Sequence, residues 1–237
     1  MNKYVQFVSD EHFLNCVKWV MGAYPSPDSE VDMEKLQKNT IDPFKIIFDC
    51  SFNNVEVDDW VKTEQIRQED KTINNRIGDF HQKLLGGVKG WVDLGTGDDS
   101  HVDLKKEDNS IFIEIKNKFN TVNSSSLSSL QQKLEAIIKK YPKATGYWGF
   151  ILSKRGDSGE TILSANDRTN PRIKKIWGSK FYELVTNDPN ALSDTWKALP
   201  KAIKDIQSEA RNFTGEDKKR LKYFFKSAFS NLTEPEL

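Results

Sequence analysis

The run Gly146-Tyr147-Trp148-Gly149-Phe150-Ile151-Leu152 constrains this chain more than any other stretch. A nearly unbroken apolar segment of that length fits a strand buried on both faces, as in a sheet covered by helices on each side. The segment before it, Leu127 to Tyr141, has helical spacing, and Ser110 to Lys118 alternates with a period of two. A strand, helix, strand crossover is therefore expected. The fold class that follows is α/β (α+β): a mixed β-sheet flanked by helices, with helical N- and C-terminal additions.

The remaining elements fit around that core. Residues 10–24 place Phe13, Val17, Val20 and Met21 on one helical face. Ile73 to Leu85 do the same with Ile73, Ile77, Phe80 and Leu84, and Gly86-Gly87 ends the helix. A short apolar piece lies around Trp91, and His101 to Lys106 reads as a strand. Asn123 to Ser129 reads as a Ser-rich connection. The last 45 residues read as helices, with Leu199, Ile203, Ile206, Ala210 and Phe213 on one stripe and Leu221, Phe224, Phe225, Ala228 and Phe229 on another. With no repeat or low-complexity tract, a single domain over 1–237 is expected. It comprises a helical part over about 1–87, a sheet core over about 88–186 and C-terminal helices over about 190–237.

Several function classes are excluded or disfavoured. There is no run of about 18 apolar residues, and no signal-peptide stretch before Ser9-Asp10-Glu11, so a cytoplasmic protein is expected. Two cysteines, Cys16 and Cys50, are too few and too far apart for a zinc module, and three histidines argue against a His-rich metal site. Basic and acidic residues both total 35, so the chain carries no bulk charge signature of a nucleic-acid binder. A nuclease, which needs acids for metal and bases for phosphate, is compatible with such a balance.

The chemistry concentrates in Asp103 to Lys116. If Asp108-Asn109 form a two-residue turn, Glu107 faces Ser110, and counting back along both strands sets Asp103 opposite Glu114. Alternation puts Phe112, Glu114 and Lys116 on that same face, with Ile111, Ile113 and Ile115 on the other, against the core. Two carboxylates at cross-strand distance, about 5 Å between Cβ atoms, repel each other. A divalent cation held by both offsets this, and hard oxygen ligands favour Mg2+, with Mn2+ able to substitute. Lys116 is placed to orient or deprotonate a water at the metal, or to stabilise charge on a phosphate. That set suits phosphodiester hydrolysis. The string Glu-x-Lys alone is weak, since Glu69-Asp70-Lys71 and Glu216-Asp217-Lys218 match it too; the apolar strand and the facing aspartate single out Glu114.

These residues resemble the PD-(D/E)XK nuclease superfamily. More narrowly, Arg76-Ile77-Gly78-Asp79-Phe80-His81-Gln82, Glu114-Ile115-Lys116-Asn117-Lys118-Phe119-Asn120-Thr121 and Gly178-Ser179-Lys180-Phe181-Tyr182-Glu183-Leu184 are similar to type II restriction endonucleases that cut at GGNCC. The resemblance implies a restriction-endonuclease-like core in which Asp103 and Glu114 ligate the metal and Lys116 is the catalytic lysine. It also implies double-stranded DNA as substrate, a homodimer to match a palindrome, and a DNA methyltransferase as functional partner. Val102 stands where the superfamily often has proline. Asp79 and Gln82 lie where many relatives carry an extra glutamate ligand.

Asn117, Lys118 and Asn120 follow the catalytic strand and are candidates for DNA contact, although Asn120-Thr121 also suits a turn cap. Base reading is expected from the basic segment Lys154-Arg155-Gly156 through Arg168, Arg172, Lys174 and Lys175. Two alternatives stay open on the sequence: a PD-(D/E)XK repair nuclease without strict specificity, and a non-catalytic DNA-binding protein.

Overall fold

Four helices come first along the chain: α1 (Asp10–Met21), α2 (Met33–Gln37), α3 (Pro43–Asn53) and α4 (Val57–Gly86). They belong to a computed structural model that describes residues 2–26, 31–95, 102–121, 123–165 and 168–233. The chain divides into two compact units, Trp19–Ile77 and the rest, with boundaries inside α1 and α4.

In the smaller unit, α3 is well delimited. Asp42 caps it by accepting from the Phe44 N–H at 2.9 Å, Pro43 occupies its first turn, and Asn54 closes it with a left-handed φ of 52°. Leu36 and Trp60 are the smaller unit's only buried apolar side chains among the described residues. The sequence placed the start of α4 at Ile73; the helix begins 16 residues earlier, at Val57. Its first half, Val57 to Thr72, has too few apolar residues to show a helical stripe.

The larger unit is built on a six-stranded sheet. Its strands are β1 (Trp91–Asp93), β2 (Leu104–Lys106), β3 (Ile111–Lys118), β4 (Thr145–Leu152), β5 (Gly159–Ala165) and β6 (Arg168–Trp177), in the order β1-β2-β3-β4-β6-β5. The central strands β3, β4 and β6 are parallel, and both margins are antiparallel. Between β3 and β4 the chain crosses over through α5 (Ser124–Lys140), as the apolar run required. After β6 come α6 (Ser179–Thr186), α7 (Ala191–Ile206) and α8 (Gly215–Ala228).

Both faces of β4 are covered, which explains its composition. Trp148 and Phe150 pack with Phe112, Leu130, Leu134, Ile137 and Ile173 under α5. On the opposite face Gly149 admits α6: a Cβ there would lie 3.1 Å from Ile113 Cγ2 and from the Phe181 ring. Gly146 gives the α5 side the same freedom, with Leu134 at the position a Cβ would meet. The mixed sheet flanked by helices is the expected architecture.

Several expectations need correction. The Ser-rich stretch is no loop: Asn123 accepts from the Ser126 N–H at 2.9 Å and caps α5, which starts at Ser124. The first candidate strand is shorter than expected, β2 starting at Leu104; His101 lies outside the described residues. The basic stretch after β4, for which the sequence offered no element, forms β5 and β6 from Gly159 onward, where Lys174 pairs with Glu160 at 2.6 Å and Arg172 donates to the Pro142 carbonyl at 2.5 Å. The Arg168 side chain lies outside the description. On α7 the buried face runs through Leu192, Thr195, Ala198 and Ala202, with Leu199 and Ile203 only partly covered, and Ala210 and Phe213 fall beyond its end. Phe224 is exposed. No helix among the described residues is long and apolar enough to cross a membrane.

Candidate active site

The β2–β3 hairpin has the expected register. Leu104 pairs with Ile113 and Lys105 with Phe112, and one step further the Asp103 N–H donates to the Ile113 carbonyl at 3.1 Å. The turn itself differs. Its closing hydrogen bond runs from the Asn109 N–H to the Lys106 carbonyl, so Glu107 and Asp108 are central and Asn109 takes a left-handed φ of 56°. Asp108 stabilises it by accepting from the Ser110 N–H at 2.9 Å. Strand pairing survives the change because both turns leave Lys106 facing Ile111.

Asp103 stands at the edge of β2 and its Oδ2 accepts from the Ile115 N–H at 2.6 Å. Glu114 is buried on β3, and each of its oxygens receives an ammonium: Lys116 Nζ at 2.7 Å from Oε1 and Lys133 Nζ at 2.8 Å from Oε2. Burial, and then the charge of Glu114, push the Asp103 carboxyl up to about 6, against the pull of the Ile115 N–H and both lysines. The face expected to be open is thus half closed. Phe112 is fully buried under α5 and Glu114 is buried, while Asp103 and Lys116 keep partial exposure.

Lys133 was not foreseen. It lies on α5 and meets Glu114 only because the crossover lays that helix over β3; no local pattern around Lys133 could have shown this. Gln82 was considered as a ligand. Its Nε2 donates to Asp93 Oδ1 at 2.7 Å and to the Asp103 carbonyl at 3.4 Å, so it tethers α4 to the strands that carry the acids. Asp79 is exposed. Asn117 is half-buried at the end of β3, while Lys118 and Asn120 are exposed, and the Thr121 hydroxyl caps the turn by donating to the Lys118 carbonyl at 2.7 Å.

Among the described residues no three His, Cys, Asp or Glu side chains gather into a metal cluster. The donor set instead supplies two carboxylates. An acid pair in which Asp103 is driven toward protonation by burial and then by the charge of Glu114 fits a hard divalent cation whose remaining ligands come from water or substrate oxygens.

A six-stranded mixed sheet flanked by helices is the architecture of a restriction-endonuclease-like core. Comparison with known proteins carries the assignment further. The family model for the Eco47II restriction endonuclease matches residues 5–208, and the chain belongs to that family. It is 35% identical over 214 residues to the type II restriction enzyme Sau96I of Staphylococcus aureus, covering 86% of this chain and 81% of that protein. It is 34% identical over 236 residues to the type II restriction enzyme Eco47II of Escherichia coli, covering 93% and 97%.

Proposed function

We propose that this type II restriction endonuclease hydrolyses double-stranded DNA at a GGNCC-like palindrome, with Asp103 and Glu114 holding Mg2+ and Lys116 as the catalytic lysine. The observation that carries the reading is the half-buried Asp103 beside the buried Glu114, with Lys116 Nζ 2.7 Å from Glu114 Oε1. Family membership supports the reaction, and the Glu114–Thr121 stretch supports the GGNCC class. In this reading the whole chain of 237 residues works as one nuclease in the cytoplasm, as a homodimer, beside a methyltransferase that protects the host's own sites.

Each residue has a defined task. Asp103 is pinned by the Ile115 N–H, which leaves its other oxygen for the ion. Glu114 presents its carboxylate in an orientation fixed from both sides by lysines. When bound, the ion supplies Lewis acidity to the attacking water and to the leaving oxygen; Mn2+ can replace Mg2+. Lys116 orients the water and offsets the charge that builds on the phosphate. Asn117, Lys118 and Asn120 lie beyond Lys116 and donate to the DNA backbone, with Lys118 and Asn120 exposed for that purpose.

The test is digestion of a plasmid of known sequence by purified protein with Mg2+, beside Glu114→Ala and Lys116→Ala. Discrete fragments ending at GGNCC, lost with chelator and reduced about 100- to 1,000-fold in either variant, are expected, on the order of removing a principal charge-stabilising group. A smear would instead indicate a nuclease without site specificity. Turnover near wild type in both variants would overturn the site assignment.

A further inference from the structure

The helix α3 buries none of its residues. Phe44, Ile47, Phe48 and Phe52 recur at helical spacing along one side and are 72%, 64%, 73% and 90% exposed. Scattered exposed apolar residues are ordinary, but an aromatic stripe of this kind is not. The unit that carries it, Trp19–Ile77, has only Leu36 and Trp60 as buried apolar side chains among its described residues. A segment with so small a core resembles half of an interface core rather than a finished one.

We infer that this stripe is the surface through which two copies of the chain associate, α3 packing on α3 of the second copy. The inference rests on the homodimer named above and locates it. Three observations favour a second copy over other occupants. First, the area suffices: four such side chains offer roughly 600–700 Å² per protomer, hence about 1,200–1,400 Å² in a two-fold contact, within the range of specific interfaces. Second, the helix opposes self-association with no net charge. Its one base, Lys45, pairs with its one interior acid, Asp49, which also accepts from Trp60 Nε1–H at 2.9 Å. Third, the same lack of free positive charge disfavours DNA or an anionic membrane surface, both of which are held by lysine and arginine. A two-fold axis lays one uncharged stripe on its own copy, which needs no complementary patch elsewhere on the molecule.

The test uses the full chain in two charge variants, Phe44→Glu/Phe48→Glu and Phe44→Lys/Phe48→Lys, followed by sedimentation. The wild type is expected to be a dimer at micromolar concentration and each variant a monomer, with helix content by circular dichroism unchanged. Mixing the two variants is expected to restore the dimer, because the stripe then meets an opposite charge in its partner. Should either double variant lose helix content, Phe52→Gln at the most exposed position serves instead, and a dimer Kd raised at least tenfold is expected. A further check needs no variant: the wild-type Tm rises with protein concentration when folding and dimerisation are linked. Variants that stay dimeric, mixtures that stay monomeric, or a Tm independent of concentration would overturn the α3 surface. Plasmid cleavage by the wild type, scored separately, shows whether the nuclease reading stands regardless.

Discussion

Glu114 is a carboxylate with both oxygens occupied by ammonium groups, and the two ammoniums come from different parts of the chain. Lys116 is two residues away on the same strand, so its partnership was legible in the alternation of β3. Lys133 is 19 positions downstream on a helix, and only tertiary structure brings it to Glu114. Their effects should separate. Partners that orient a metal ligand are typically worth 10–100-fold in metal affinity or activity. Lys133→Ala is therefore expected to raise the Mg2+ concentration for half-maximal cleavage by that factor, and Lys133→Arg to restore much of it; a metal titration reads both. Elsewhere in the larger unit, His81 Nδ1 and the Tyr182 hydroxyl share a hydrogen bond at 2.6 Å, and burial lowers the imidazole from the usual 6.5 to about 4. The fold thus holds this histidine neutral, whereas the unfolded chain protonates it below about pH 6.5. Its contribution is complete above pH 6.5 and is lost as pH falls toward 4. Urea midpoints measured from pH 8 to 4.5 should decline more steeply for the wild type than for His81→Gln; parallel curves would remove His81 as the cause.

At the scale of elements, β4 is the strand from which the rest could be read. Its apolar run announced burial on both faces, and α5 and α6 provide the two covers. Gly149→Ala tests how tightly they fit. The added methyl would meet Ile113 and Phe181 at 3.1 Å, so a loss of about 1–3 kcal/mol is expected from overpacking in a denaturant melt, with m unchanged. The hairpin was legible for a different reason: its register is set within a dozen residues, by alternation and a short turn, and it tolerated a turn centred one residue earlier than expected. β5 and β6 were hidden because Lys154 to Lys175 is rich in charge, and a segment that carries charge on its outer face looks like a loop when read alone. The first half of α4 was hidden by the opposite lack, since Val57 to Thr72 buries only Trp60 and Glu64.

For the molecule as a whole, the balanced charge gave little sign of DNA, and the local constellation had to carry that reading. Phosphate contacts contribute to affinity for any duplex, so specificity shows only as a difference between sequences at one salt concentration. In calcium, an oxygen-seeking ion that fills carboxylate sites, a GGNCC duplex is expected to bind at least 100-fold more tightly than a random duplex of equal length in a titration by fluorescence anisotropy. Equal affinities would remove sequence recognition from the reading. The apolar stripe on α3 bears on a different matter, which is when the enzyme works at all. A dimer joined through that stripe, as inferred above, obeys mass action: below its Kd, halving the number of molecules quarters the number of pairs. In that reading, cutting of both strands falls off faster than the number of copies in the cell, so the chain's own abundance sets how much cleavage a cell supports.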